Sequence, residues 1–223
     1  MNLAAIITGG AGPCKRAGGG EWTGRPGRVI LQAGGGSWGG RGEAVTEAEW
    51  KDCTDPEAMR QYVRDSTSER KGMLYLAAWG RCSRPVVWDR HSLEAVEVAE
   101  RYADGLAAPD DFLRAGSPAF LVQFVLVLLA GHHRAHHPEY ARLLRDVVGN
   151  PFRRVVPSPA WLAWNDATVA RLAQAAYEER HMPEGTLDNG RLAVLADALE
   201  EAGCTDADIL GHLRGPGSHV QGC

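Results

Sequence analysis

The chain has 223 residues, 44% of them hydrophobic and 23% charged, with a formal net charge of −4; such proportions exclude a disordered or fibrous protein. The charge is unevenly placed. Residues 1–44 carry five basic side chains (Lys15, Arg16, Arg25, Arg28, Arg41) and two acidic ones (Glu21, Glu43), a balance of +3 that leaves −7 for residues 45–223; phosphate binding wants a basic face, which makes nucleic acid a poor partner for the main body.

The first segment, residues 1–44, has fourteen glycines and no amphipathic period. Within it "AIITGGAG" imitates the strand and glycine turn of a dinucleotide-binding enzyme, but "PCKRAGGGEW" behind it cannot form the helix that would face a pyrophosphate. "GGSWG", Gly35 to Gly39, matches a nucleophile elbow in letters only, because "GGRGEA" follows Ser37 where a helix must begin. The segment reads as a flexible, unstructured leader, or as sequence translated from a start codon called too early. A chain beginning at Val45 should melt at the same temperature as the full chain.

From Val45 onward the texture becomes helical. Thr46 and Glu49 form a capping box, and Asp55-Pro56-Glu57 opens a second helix with proline at its first position. Ser68 caps a third through Trp79, and Ser92 opens a fourth with Val96, Ala99, Tyr102, Ala103 and Leu106 in one stripe, Glu100 outside it. Ser117-Pro118 starts the apolar run Ala119–Ala130, which periodicity alone cannot assign but whose leucine content favours a buried helix. Twelve residues at about 1.5 Å each do not cross a bilayer. Tyr140–Val148 is a short amphipathic helix stopped by "GNP".

In the last third, Asn165 caps a helix with Val169, Leu172, Ala173, Ala176 and Tyr177 inward. Leu192, Leu195, Ala196, Leu199 and Ala202 line the next, ended by Gly203. Thr205-x-x-Asp208 caps a final helix with Ile209, Leu210 and Leu213 inward. No strand alternation intervenes. The fold predicted for 45–223 is an all-α, irregular multi-helix bundle.

The stretches "TEAEW" (46–50), "CTDP" (53–56), "AVEVAERYADG" (95–105), "GNPFR" (149–153), "PAWLAWND" (159–166), "LADALEEAGC" (195–204) and "ADILGHLRGPGSHVQGC" (207–223) occur in this order. In them the chain resembles an uncharacterised bacterial protein family, over most of residues 46–223. The resemblance implies no activity and hands over no catalytic residue. It does imply that members begin at the residue before "TEAEW", here Val45, and continue past Gly222-Cys223 into a Trp-led apolar tail. Without such a tail, Leu210 and Leu213 are candidates for an interaction face, through self-association or a protein partner. Relatives look Cys-rich near Cys82, where this chain reads "LAAWGRCSRP", which argues against an indispensable thiol there.

Candidate chemistry is sparse. His132, His133, His136 and His137 in "AGHHRAHHPEY" have i, i+4 spacing for one metal ion, but Arg134 lies between them, Pro138 biases His137 away from helical angles, and nothing nearby resembles the H-E-x-x-H of a zinc site. Asp197 with Glu200 or Glu201 has acid–base spacing on what reads as a solvated face. Trp161, Trp164 and Asp166 could line a pocket, or simply pack, and the two tryptophans are further candidates for an interaction face. "RGPGSH" could cradle an anion, or simply turn. Cys14, Cys53, Cys82, Cys204 and Cys223 contain no C-x-x-C pair, which suits a reducing cytoplasm. No secretory signal is visible. The expectation is a cytoplasmic, non-enzymatic helical module for protein–protein interaction or structural support, without cofactor, membrane or nucleic acid. The alternatives are a metal-dependent or hydrolase-like enzyme using His132–His137, Asp166 or the C-terminal carboxylates, and a helical effector or toxin-like domain.

Overall fold

The computed structural model describes residues 45–82, 90–115, 138–153 and 155–223. The leader 1–44, the apolar run 119–130 and the histidine run 132–137 lie outside the described residues. The elements are α1 (Glu47–Asp52), α2 (Pro56–Val63), α3 (Glu69–Cys82), α4 (Arg90–Ala103), α5 (Pro109–Ala115), α6 (Pro138–Val148), α7 (Pro159–Glu178), α8 (Asn189–Glu201) and α9 (Ala207–Leu213). Among the described residues the β-type pairings are two isolated antiparallel bridges, His181 with Thr186 and Thr186 with Val220. The main body is an all-α bundle.

Local chemistry explains most of the helix starts. Thr46 accepts from the Glu49 N–H while the Glu49 carboxylate accepts from the Thr46 N–H, the reciprocal box that satisfies two orphan donors. Asp55 accepts from the Glu57 and Ala58 amides ahead of Pro56, and Ser68 accepts from the Lys71 amide. Four expectations need correction. The fourth helix starts at Arg90 rather than Ser92. The last is capped by Asp206, which accepts from the Asp208 and Ile209 amides, not by Thr205, because aspartate one residue nearer reaches both donors. Leu106 falls beyond α4 and is 67% exposed, while Glu100 is 4% exposed. Finally, α7 begins at Pro159 behind Ser158 and breaks at Trp164–Ala167; Asn165, Asp166 and Ala167 all have positive φ, so Asn165 sits inside a left-handed turn.

The apolar stripes close into two cores. In the first, α3 packs on α4 and α6, and α2 packs on α6, burying Trp50, Met59, Val63, Leu74, Val96, Leu144 and Val147. In the second, α8 packs on α7 and α9, burying Val169, Ala173, Leu192, Leu195, Leu199, Ile209 and Leu213. The segment 214–223 belongs to both: Val220 is part of the first core and Cys223 part of the second. Gly222 makes that threading possible. Its φ is +108°, and a Cβ there would stand 3.1 Å from Leu74 Cδ1 and 3.2 Å from Val147 Cγ1.

A polar lattice spans the same seam. Arg81 donates through Nε and Nη2 to both oxygens of Glu100, at 2.7 and 2.9 Å. Arg180 adds a contact to Glu100 at 3.0 Å and donates to Gln221 Oε1 at 2.6 Å. Gln221 donates to Asp104 at 2.9 Å, and Asp104 also receives Arg70 and the Tyr177 hydroxyl.

Candidate functional site

Where the two cores meet, four side chains of metal-ligating type converge. Asp146 comes from the inner face of α6, among Leu143, Leu144 and Val147. His212 comes from α9, beside buried Leu213. His219 and Cys223 come from the segment that follows the "RGPG" turn. Their donor atoms all lie within 4.8 Å of one another.

His219 Nδ1 is 2.8 Å from Asp146 Oδ1, and the Val220 N–H donates to Asp146 Oδ2 at 2.8 Å. His212 Nε2 is 2.9 Å from Cys223 Sγ and 3.4 Å from Asp146 Oδ1. Cys223 Sγ is 3.6 Å from His219 Nδ1, and the imidazoles meet edge-on at 4.7 Å. The backbone beneath is held as well: the Leu187 N–H donates to His219 O at 2.8 Å, and Asn189 Nδ2 to Gly217 O at 3.1 Å.

The cluster is closed. Asp146, His219 and Cys223 are buried; His212 retains an exposed edge, with its side chain 29% accessible. Burial pushes the Cys223 thiol well above its ordinary pKa, and the Asp146 carboxylate adds to the rise. Burial lowers His212 to about 4, so its imidazole is neutral at neutral pH.

These contacts are not those of a thiol hydrolase. In a Cys–His–Asp relay one imidazole nitrogen takes the thiol proton while the other is held by the carboxylate. Here each imidazole meets both acidic partners through a single nitrogen, Nε2 of His212 and Nδ1 of His219. The sulfur is also wholly buried, out of reach of a substrate.

The residues singled out in the sequence lie elsewhere. Trp161 and Trp164 are half-buried against the second core. Asp166 is exposed in the left-handed break of α7. Asp197 and Glu200 both receive Arg214 at 2.6 Å on the surface. Leu210 and Leu213 are buried in the second core. The converging residues carried a visible signal, since His212, His219 and Cys223 form an H-x6-H-x3-C pattern in the last stretch of sequence. Asp146 had none, being one acid in an amphipathic helix far upstream.

No family model matches the chain, and no curated protein or solved structure matches it either.

Proposed function

We propose that this chain is a non-enzymatic helical module, cytoplasmic, serving protein–protein interaction or structural support through contact with a protein partner or a second copy of itself. One observation carries the reading: among the described residues, the cluster of Asp146, His212, His219 and Cys223 is spent on itself at the seam of the two cores, where it fastens segment 214–223 and leaves only an edge of His212 to solvent. No described helix is long and apolar enough to cross a membrane, and the body's acidic balance disfavours nucleic acid. The test pairs gel filtration and light scattering of the full chain, with and without extract of its own cells, with turnover assays on small ester, amide and phosphoester substrates. A stoichiometric complex without turnover supports the reading. Turnover that disappears on Asp166→Ala would overturn it in favour of an enzyme.

That second reading rests on the three consecutive left-handed residues Asn165, Asp166 and Ala167. Backbone strain of this kind costs on the order of 1–3 kcal/mol per residue and collects at functional sites. The exposed Asp166 carboxylate stands in its middle.

A further inference from the structure

We infer that Asp146, His212, His219 and Cys223 bind one divalent transition-metal ion of the zinc class, as a closed, four-coordinate structural centre that joins the two cores. Zinc bonds of about 2.0–2.3 Å place tetrahedral donors roughly 3.3–3.8 Å apart. Four separations around the cluster are 2.8, 2.9, 3.4 and 3.6 Å, within about half an ångström of that range. The shared nitrogens point the same way. Each imidazole nitrogen faces both the thiol and the carboxylate, the mutual approach of four donors that one cation, accepting a lone pair from each, draws together.

Charge and donor softness select the ion. A thiolate and a carboxylate cancel two positive charges, and two neutral imidazoles add none, so the loaded centre is neutral in a place that would penalise net charge. One sulfur, two nitrogens and one oxygen suit a borderline ion such as zinc or cobalt and exclude magnesium and calcium, which require oxygen shells. Four protein donors fill the tetrahedron and leave no position for a substrate or reactive water, which makes the centre structural rather than catalytic. Part of the frame around it is built: Asp146 is oriented by the Val220 amide, and the tail is pinned at His219 by the Leu187 amide and, between His219 and Cys223, at Gln221 by Asp104 and Arg180.

The inference rests on reading the cluster as a fastening, and the two fail separately. The full chain, without an affinity tag, is equilibrated with zinc, dialysed and assayed for metal by mass spectrometry, then reloaded with cobalt for absorption spectroscopy. The expected result is about one zinc per chain, with a cobalt form showing the intense visible bands of tetrahedral geometry and a thiolate charge-transfer band. His212→Ala, whose side chain reaches the surface, and Cys223→Ser should weaken zinc binding by more than the roughly 10–100-fold that loss of an outer-shell partner costs. Replacing His132, His133, His136 and His137 together by Ala should change nothing. Circular dichroism identifies any variant that fails to fold, and the cobalt spectrum of the unaltered chain remains decisive in that case. A folded full chain that takes up no zinc, or zinc that survives His212→Ala and Cys223→Ser but is lost with the histidine run, overturns the centre and leaves the fastening role intact. Turnover by a loaded chain would instead overturn the non-enzymatic function and leave the centre intact.

Discussion

Glu100→Gln is the sharpest test of what holds the first core to the second. The carboxylate is 5% exposed and its principal partner Arg81 1% exposed. It receives three guanidinium hydrogen bonds, two from Arg81 and one from Arg180. Removing the negative charge leaves Arg81 buried with the Pro183 carbonyl, 2.6 Å from Nη1, as a remaining partner. Breaking a buried pair from one side costs about 3–5 kcal/mol, and the amide oxygen of glutamine recovers about 1 kcal/mol through one retained hydrogen bond. The net expectation is a loss of about 3 kcal/mol out of a total near 5–15. In urea, at a slope of about 1–3 kcal/mol per molar, the midpoint should fall by about 1–3 M with the slope unchanged. Adding Arg81→Met should restore much of the loss, since an apolar replacement of a buried pair is often neutral. A single variant that loses less than about 1 kcal/mol, or a double variant no more stable than the single, would refute the account of the seam.

Ala167 holds φ at +61°, which costs a non-glycine residue about 1–2 kcal/mol against the 0.5–1 that glycine forfeits in chain entropy. Ala167→Gly should therefore raise the melting temperature by up to about 6 °C; a clear decrease would show that the turn is not strained. Gly222→Ala should destabilise by about 2 kcal/mol or more, from positive φ together with contact on Leu74 and Val147, and an unchanged urea midpoint would contradict that. Burial lowers the Lys71 amine from 10.5 to about 8, so the native state holds fewer protons than the unfolded one between those values. Stability should rise with pH across that window, and below it the charged amine costs on the order of 3 kcal/mol. In Lys71→Met the rise should vanish from pH-dependent urea titrations; a slope that persists would assign it to other groups.

The helix starts could be read in the sequence because a cap involves neighbours two or three residues apart. Thr46 with Glu49 and Asp55 with Glu57 state their hydrogen bonds almost in their spelling. Glu100 misled because its neighbours on α4 place it beside a polar face, whereas its partners Arg81 and Arg180 come from other elements. Asn165 misled for a different reason: asparagine is favoured both as a cap and in left-handed turns, and only the backbone distinguishes them. For the cluster, three of four donors stand within twelve residues, but their H-x6-H-x3-C spacing has no C-x-x-C pair to mark it as a ligand set. The fourth, Asp146, is joined to Val220 across 74 residues, a pairing that no local period encodes.

The threading of segment 214–223 between the cores has a consequence for how the molecule is made. Synthesis runs from the amino end, so a ribosome releases this segment after every helix that it joins. Until then the surfaces that it covers stay open, among them Leu74 and Val147 beside Gly222 and the carboxylates of Asp146 and Asp104. Docking then closes contacts across 74 residues to Asp146 and 117 residues to Asp104. Loop closure at such lengths adds only about 0.6 kcal/mol per doubling, so the equilibrium is barely affected, whereas long-range pairing slows folding. During translation the seam is the last surface to dry.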